Sequence, residues 1–399
     1  MIIRTPEVIE DGHKVIVRTL VDYKNRQEKV WFSVYSENKE WLTPETQDAF
    51  VLALLLLAMK EKEDLYIEGA MSEKLFYNVV NHYMPIIISC IPSLSRIRII
   101  PEELRSTIYA QTKGGVATGF SGGIDSFCVL ADHLFGSVPD GFRVTHLLFN
   151  NVGSHGAGGS RLFWDRYSRL LPAAEELGLP FIAIDSNLGE LLPFGYQLTC
   201  TIRNISAVLL LQKLIRRFYF ASTYKYEDCF VGEAPDMATS DPIAVHLLST
   251  ETTECISSGC QYSRVEKTMR VAEIQLSHEY LDVCVDIAGG GNCSVCVKCA
   301  RTLLTLEIIG KLEEYKGIFN LEKYGKIRNR YISKVLSGKK PLQRELVQLS
   351  KELKYDFPFL LKCYSLAYAP LSVWESRKLR GTIPYHIRKI IKNFRLNKK

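Results

Sequence analysis

The chain has 399 residues, of which 47% are hydrophobic and 24% are charged, and its formal net charge is +6. This composition is typical of a soluble globular protein of about two or three domains. The longest apolar run, at 50–59, is shorter than the roughly 20 residues that a membrane-spanning helix needs, and the first residues lack the features of a secretory signal. We therefore expect a cytoplasmic protein without a membrane partner, whose 11 cysteines are reduced thiols or metal ligands.

Residues 1–108 have the pattern of a separate α+β domain, because runs of β-branched and aromatic residues flank one apolar helix. The helix is predicted to begin at Thr43, where Pro44 follows the capping residue, and to end near Lys60. Pro101 is expected to end the last strand of this domain. The predicted strands are 15–21, 30–35 and 96–100.

Residues 109–316 alternate short apolar strands with helices, a pattern that predicts a parallel sheet with crossover helices. The predicted strands are 115–120, 144–149, 181–185, 218–222 and 280–287, and the predicted helices are 124–135, 163–177 and 202–218. Residues 317–399 are predicted to form a helical extension, whose tail at 377–399 has nine Lys or Arg residues and no Asp or Glu. The predicted fold class is α/β, with a Rossmann-like parallel sheet between these two additions.

The sequence Ser-Gly-Gly-Ile-Asp-Ser lies between the first strand and the first helix of the central region. Gly122 and Gly123 allow a tight turn, whose N–H groups join those of the helix start in a nest for pyrophosphate or a triphosphate. Ser121 and Ser126 can donate hydrogen bonds to phosphate oxygens, whereas Asp125 can hold Mg²⁺ or orient the turn. The alternative interpretation is an ordinary Gly-rich turn capped by Asp or Ser.

This motif resembles the signature of the PP-loop ATP pyrophosphatases, which include GMP synthetase, NAD synthetase, tRNA-thiolating enzymes and QueC, the 7-cyano-7-deazaguanine synthase. The resemblance implies a Rossmann-like fold of the adenine nucleotide alpha-hydrolase type. It also implies that ATP is cleaved between its α and β phosphates, that the substrate becomes an adenylate, and that a nucleophile then displaces AMP.

A cysteine cluster lies further along the chain, where Cys293, Cys296 and Cys299 are spaced by three residues and Cys284 precedes them by nine. Four thiolates at this spacing can hold Zn²⁺ in a closed tetrahedral site, which is structural because no position is left for a reacting water. An iron–sulfur cluster is the competing interpretation. Two other cysteines can replace Cys284 if the loop folds back, namely Cys255 and Cys260.

The cysteine spacing resembles that of QueC, which has one Cys, eight further residues and then Cys-x2-Cys-x2-Cys near the end of its catalytic domain. With the Gly-rich motif in the same order, the resemblance covers about residues 115–310 and implies zinc at the four cysteines. ATP, Mg²⁺ and Zn²⁺ are therefore the expected cofactors.

Two further motifs resemble those of this family. QueC has an Arg-Asn pair at a helix start, which matches Arg203 and Asn204 and implies contact with the nucleotide, the guanidinium binding triphosphate oxygens. Residues 263–267 resemble a later motif in which a Lys faces the phosphates, a role that either Arg264 or Lys267 can take here. A surface Arg beside a capping Asn, and solvated charges at a helix start, are the alternative interpretations.

Asp241, which precedes Pro242, can hold Mg²⁺, although a turn aspartate is an equally good interpretation. The Gly-rich loop at 153–159 follows the second predicted strand, at the edge where ligands bind in open α/β sheets. It can close over a substrate with His155 in contact. The Tyr-Gly-Gln-Arg motif that QueC carries there is absent, which leaves the substrate open.

Neither 1–108 nor 317–399 is covered by the resemblance, and such additions to a small-molecule enzyme indicate a macromolecular partner. The chain resembles the long QueC-like proteins of bacterial anti-phage systems, type IV CBASS and Qat, which implies deazaguanine chemistry on a protein or nucleic acid. The basic tail can contact either partner, whereas a solvated helical face is the alternative. A homodimer is one candidate oligomeric state.

Together these features predict an ATP-dependent ligase that adenylates a carboxylate, for which the resemblance implies 7-carboxy-7-deazaguanine, and transfers it to ammonia or to an amine of a partner. The predicted catalytic residues are Asp125, Arg203, Arg264 and Lys267. Two alternatives stay open. The first is tRNA thiolation, which needs a reactive cysteine outside the cluster or an iron–sulfur cluster, and the second is a non-catalytic nucleotide-binding scaffold.

Overall fold

The computed structural model describes residues 1–106, 113–156, 159–284, 291–358 and 361. The strands in these ranges are β1 (Ile2–Ile3), β2 (Glu7–Asp11), β3 (Lys14–Tyr23), β4 (Arg26–Tyr35), β5 (Leu65–Ser72), β6 (Ile99–Arg105), β7 (Gly115–Gly119), β8 (His146–Asn151), β9 (Phe181–Ser186), β10 (Ile215–Ala221) and β11 (Glu254–Ser258). The helices are α1 (Asp48–Glu61), α2 (Glu73–Asn78), α3 (Met84–Cys90), α4 (Ile124–His133), α5 (Ser160–Glu176), α6 (Leu188–Leu191), α7 (Cys200–Val208), α8 (Asp241–Ala244), α9 (Arg264–Val271), α10 (Ser277–Tyr280), α11 (Val297–Ile308), α12 (Leu321–Leu336) and α13 (Pro341–Glu352).

Five central strands form the parallel part of one mixed sheet, in the order β9-β8-β7-β10-β11. Helices cover both faces of this sheet, so successive residues of a strand are buried in two different apolar cores. In β7, for example, Val116 belongs to one core and Ala117 to the other. This double cover explains the continuous apolar runs of the sequence. The strand order reverses between β7 and β10, so the fold is doubly wound and compatible with the Rossmann-like α/β class.

The N-terminal strands continue this sheet as a mixed part, in which β5 pairs in parallel with β1 and β6 while β3 pairs antiparallel with β1, β2 and β4. This part joins the central strands where β4 pairs antiparallel with β9 at Phe32–Ser186 and Ser33–Asp185. Helix α1 packs against α7, and the apolar residues of both parts form one core. The N-terminal part thus shares one sheet and one core with the central strands, and its division as a separate domain stays a prediction. The helix α1 is buried all round, so it needs apolar partners on more than one side. The predicted boundary at residue 108 lies outside the described residues.

Several predicted elements end or begin elsewhere. The helix predicted to begin at Thr43 begins at Asp48, with Gln47 at its N-cap position, so Thr43 and Pro44 lie before the helix and do not cap it. The helix predicted at 202–218 ends at Val208, and β10 already begins at Ile215, because a continuous apolar run fits a buried helix and a buried strand equally well. Pro101 lies within β6 and does not end it. The strand β6 is at the edge of the sheet, where a residue without an N–H group is tolerated.

The strand predicted at 280–287 does not form over its described residues. The helix α10 ends at Tyr280, and residues 281–284 have no regular structure, while 285–287 lie outside the described residues. Cys284 therefore reaches its partners from an irregular segment. The sequence analysis also missed β5 and β11, which pair in parallel with β6 and β10.

The C-terminal helices α12 and α13 pack with α11 and α9 around a small apolar core. The extension predicted at 317–399 is thus helical up to Glu352, and Phe319 ties its start to the central core. The basic tail and its predicted partner contacts lie outside the described residues. Within the described ranges, every helix is too short or too polar to cross a lipid bilayer.

Candidate functional site

The motif at 121–126 forms the turn between β7 and α4, as the sequence predicts. The strand β7 ends at Gly119 and the helix α4 begins at Ile124. Because the strand order reverses between β7 and β10, this turn lies at the crevice where open α/β sheets bind their ligands. We call residues 121–126 the phosphate turn.

Gly122 gives the phosphate turn its shape. Its φ angle is 70°, which lies in the left-handed region that favours glycine. A Cβ atom there would lie 2.8 Å from Leu170 Cδ2 and 3.0 Å from the carbonyl oxygen of Tyr280. In the part of the chain that the structure describes, the N–H groups at 124–126 meet no acceptor, as expected in the first turn of a helix. They are therefore available to an anion.

The two serines of the turn differ in their surroundings. Ser121 is exposed, and its Oγ accepts a hydrogen bond of 3.4 Å from the N–H of Gly123. Ser126 is buried, and its hydroxyl donates to the carbonyl oxygen of Gly123 over 3.0 Å. In this structure the Ser126 proton therefore closes the turn upon itself, and its predicted bond to a phosphate stays a prediction.

Asp125 joins the phosphate turn to two cations of α9. The Nη1 and Nη2 atoms of Arg264 lie 2.7 and 2.8 Å from its two carboxylate oxygens, and Lys267 Nζ lies 3.5 Å from Oδ1. Lys267 is fully buried and donates to the carbonyl and hydroxyl oxygens of Ser222 over 2.6 and 2.9 Å. Both cations proposed from the sequence thus reach one carboxylate. Arg264 engages both oxygens of Asp125, which therefore orients Arg264. The Oδ2 atom keeps a second lone pair, so the Mg²⁺ role predicted for Asp125 stays a prediction.

The start of α9 is fixed by local and distant contacts. Ser263 and Glu266 form a capping box around its first turn, which explains why residues 263–267 begin a helix. The N–H of Arg264 donates to Glu345 Oε2 of α13 over 2.8 Å. The C-terminal helices therefore help to hold Arg264 at the phosphate turn, a role that the sequence analysis did not foresee.

Lys298 and Arg301 of α11 add positive charge near the turn. Loss of hydration, and after it the charge of Arg264, lowers the pKa of both side chains, while the charge of Asp125 opposes that shift. The buried Nε of Arg301 has no acceptor among the described residues. Sequence reasoning missed this pair, although the alternation Cys-Val-Lys-Cys-Ala-Arg, which places cations beside metal ligands, was a usable signal.

Arg203 does not reach toward a phosphate. It is 2% exposed, and its guanidinium donates to the carbonyl oxygens of Val152, Leu188 and Phe194 over 3.2, 3.4 and 3.1 Å. A Cβ atom on Gly153 would lie 2.5 Å from its Nη1. In this structure Arg203 holds the loop that follows β8, and burial lowers its pKa. Its predicted catalytic role stays a prediction.

Asn204 lies in a polar group at the carboxyl end of β8. Its Nδ2 donates to the hydroxyl of Tyr196 and to the carbonyl oxygen of Cys200 over 3.0 and 2.8 Å, and its Oδ1 accepts from Asn150 over 3.2 Å. Each polar atom of its side chain thus has a protein partner. The predicted contact of Asn204 with a nucleotide would have to replace one of these bonds.

Asp241 and His155 are both buried at this edge of the sheet. Asp241 accepts a hydrogen bond of 2.6 Å from the Thr201 hydroxyl, and burial raises its pKa to about 7. The ring of His155 lies 3.0 Å from Ser154 Oγ and 3.2 Å from Asn151 Oδ1, and burial lowers its pKa to about 4. His155 is therefore neutral and braces its own loop.

The four predicted metal ligands come together. The Sγ atoms of Cys284, Cys293, Cys296 and Cys299 all lie within 4.8 Å of one another, and the pairs Cys284–Cys296 and Cys293–Cys299 are 4.0 and 3.9 Å apart. Tetrahedral zinc thiolates have sulfur atoms about 3.8 Å apart, given Zn–S bonds of about 2.3 Å. Three backbone N–H groups also point at sulfur atoms, over 3.2 to 3.4 Å. The group can bind a metal such as zinc.

The two alternative ligand cysteines lie elsewhere. Cys255 Sγ is 3.9 Å from the carbonyl oxygen of Leu248, and Cys260 Sγ is 3.3 Å from Ser257 Oγ. The cluster therefore uses Cys284, as the spacing predicted. Comparison of the chain with protein-family models, with curated proteins and with solved structures gives no match.

Proposed function

We propose that the chain is an ATP-dependent carbon–nitrogen ligase of the QueC-like PP-loop kind. The observation that carries the proposal is the phosphate turn, which lies at the reversal of strand order with free first-turn N–H groups and with Arg264 held beside it. A structure built only for packing has no need to collect the buried cations Arg264 and Lys267 at Asp125, because desolvated cations cost free energy unless an anion compensates them.

The proposed reaction has two steps. In the first, a carboxylate oxygen of the substrate attacks the α-phosphorus of ATP, and the bond from this phosphorus to the oxygen that bridges it to the β-phosphorus breaks. Pyrophosphate leaves with the electron pair of that bond, and an acyl-adenylate remains. In the second, an amine attacks the acyl carbon, AMP leaves with the electron pair of the acyl–oxygen bond, and the nitrogen releases one proton to water, so that an amide forms. The turn's N–H groups and Arg264 stabilise the charge on the departing pyrophosphate.

Asp125 acts in this proposal as a positioning residue for Arg264. A carboxylate repels phosphate, but a fork-to-fork pair with Arg264 fixes the guanidinium in the plane in which it meets a second anion. The Oδ2 atom of Asp125 also keeps a second lone pair, and the side chain is 27% exposed. A Mg²⁺ ion bound with ATP would therefore be held by Asp125 and would neutralise charge on the phosphates.

The substrate and the cysteine metal are the finer parts of the proposal. The family resemblance supports 7-carboxy-7-deazaguanine as the carboxylate, ammonia or an amine of a protein or nucleic acid as the acceptor, and anti-phage defence as the setting. The closed tetrahedron of sulfur atoms supports zinc in a structural role. Thiolation has less support, because burial raises the pKa of Cys128, the thiol one turn beyond Asp125, to about 12 and keeps it protonated.

The test is pyrophosphate release from ATP with a panel of carboxylates that includes 7-carboxy-7-deazaguanine, with and without ammonia. We expect release with at least one carboxylate and loss of most of it in Asp125→Ala and Arg264→Lys. The matched control is Arg270→Lys, because Arg270 lies on the same helix and pairs with Asp132 of α4. Nucleotide binding without pyrophosphate release from any carboxylate would favour the scaffold, and sulfur transfer to tRNA would favour thiolation.

A further inference from the structure

The segment at 280–282 forms one wall of the phosphate turn. The N–H of Asp282 donates to the carbonyl oxygen of Gly122 over 2.7 Å. The segment also lies beside both glycines of the turn. A Cβ atom on Gly122 would lie 3.0 Å from the Tyr280 carbonyl oxygen, and a Cβ atom on Gly123 would lie 3.7 Å from the Asp282 carbonyl oxygen. The conformation of the turn therefore depends on where this segment lies.

The same segment continues directly into the cysteine cluster. The Oδ1 atom of Asp282 accepts a hydrogen bond of 3.3 Å from the N–H of Cys284, a metal ligand. Asn292, which precedes the second ligand, donates to the carbonyl oxygen of Leu281 over 2.7 Å and accepts from the N–H of Val283 over 3.0 Å. Residues 281–284 are thus held by Asp282, which contacts the first metal ligand, and by Asn292, which precedes the second.

Asp282 is the residue at which these contacts meet. Its N–H holds the phosphate turn, its Oδ1 holds Cys284, and its Oδ2 forms an ion pair of 3.2 Å with Arg169 of α5. The side chain is 15% exposed, so these contacts are little weakened by water. Residues 281–284 have no regular structure of their own. Their position therefore depends on such individual contacts.

We propose that Asp282 is a positioning residue that couples metal occupancy of the four-cysteine site to anion binding at the phosphate turn. With metal bound, four sulfur–metal bonds fix 281–284 and, through Asp282, the Gly122 carbonyl. Without metal, the sulfur atoms lose their common ligand and the segment gains conformational freedom. An anion must then order the turn as it binds, and this ordering weakens its affinity.

The inference rests on the proposed function only in requiring that pyrophosphate binds at the turn. Its test is calorimetric titration of the full chain with inorganic pyrophosphate, before and after removal of the metal by a chelator, with metal content and circular dichroism measured on each sample. We expect metal removal to weaken pyrophosphate binding by about tenfold or more. Asp282→Ala should retain its metal and bind pyrophosphate comparably weakly, whereas Asp282→Asn, which keeps an acceptor for the Cys284 N–H, should recover part of the affinity.

The matched control is Asp165→Ala, since Asp165 is an exposed aspartate of α5 with a long ion pair to Arg161. It should leave the affinity unchanged. Metal-loaded protein that does not bind pyrophosphate at all would refute the proposed function itself. Metal-loaded Asp282→Ala that binds pyrophosphate as tightly as the unaltered chain would overturn only the coupling, and this variant decides the matter even if the metal-free protein unfolds.

Discussion

Gly122 is the residue at which backbone geometry and anion binding are most directly linked. Substitution Gly122→Ala introduces a Cβ atom at a φ of 70°, against Leu170 and the Tyr280 carbonyl oxygen. The left-handed conformation alone costs about 1–2 kcal/mol for an alanine. We expect the turn to shift and pyrophosphate affinity to fall by roughly tenfold or more, which corresponds to about 1.4 kcal/mol or more. Calorimetric titration with pyrophosphate measures this change in affinity.

The control for this prediction is Gly119→Ala. Gly119 ends β7 three residues earlier, and a Cβ atom there would meet nothing within 4 Å. If both alanine variants bind pyrophosphate as the unaltered chain does, the N–H groups of the turn do not form the anion site.

Asp241 makes stability depend on pH. Burial raises its pKa from 3.8 to about 7. Between these two pH values the folded chain therefore keeps a proton on Asp241 that the unfolded chain has lost. The stability from this group is fully present below pH 3.8 and is lost as the pH rises toward 7, at no more than about 1.4 kcal/mol per pH unit. Asp241→Asn, which keeps an acceptor for the Thr201 hydroxyl, should remove this loss.

Urea unfolding at pH 5, 6, 7 and 8 checks the prediction. The difference in stability between Asp241→Asn and the unaltered chain should grow in favour of the variant from pH 5 to 7 and then level off. The exposed Asp165→Asn should show no such trend. A constant difference across the series would mean that Asp241 is already ionised at pH 5.

At the scale of elements, the cysteine cluster sets the start of α11. Cys296 caps this helix, its Sγ accepting from the N–H of Cys299 over 3.4 Å. Cys293→Ser removes one of the four thiolates, and we expect metal content and melting temperature both to fall, because metal binding free energy is part of the folding free energy. Elemental analysis and thermal melting measure these, with Cys229→Ser as the control thiol. Unchanged metal content in Cys293→Ser would refute the metal site. Iron in the unaltered chain, together with absorbance of visible light, would identify the metal group as an iron–sulfur cluster and not as zinc.

The sequence predicted those elements whose signals are local. The strands at 115–120 and 181–185 are short β-rich runs bounded by turn residues, and the turn between β7 and α4 has its glycines in the motif itself. The break of the apolar run after Val208 could not be predicted, because hydrophobicity on every side carries no period. The helix α1 is also buried all round, so for the same reason its packing partners could not be predicted from the sequence.

Site residues divide in the same way. The cysteine set was predictable because ligand spacing is a local property. The role of Arg203 was not, because its three carbonyl partners lie 9 to 51 residues away in the chain. The pairing of Asp125 with Arg264 spans 139 residues. Only the fold brings such partners together, so for Arg203 and Arg264 the resemblance implied a phosphate contact and did not reveal their protein partners.

At the scale of the whole molecule, the N-terminal part and the central sheet are joined by a buried polar network. Gln212, which is fully buried, donates to Asp48 Oδ2 over 2.9 Å and accepts from the Thr250 hydroxyl over 2.6 Å. The other oxygen of Asp48 accepts from the N–H of Ser72 over 2.9 Å. One side of this network belongs to α1 and β5 and the other to the central region. Both parts should therefore unfold together.

Substitution Gln212→Ala tests this single unit. It removes one donor from Asp48 Oδ2, which keeps the Ser72 hydroxyl, and it leaves the buried Thr250 hydroxyl without its acceptor, so we expect a loss of about 1–3 kcal/mol in the free energy of unfolding. Hydrogen exchange measured by mass spectrometry should then show an equal loss of protection in the slowest amides of β3 and of β7, because opening either part exposes the shared core. The exposed Gln275→Ala should change neither. Loss of protection confined to β3 would instead show that the N-terminal part opens on its own, and that the continuous sheet joins two units of separate stability.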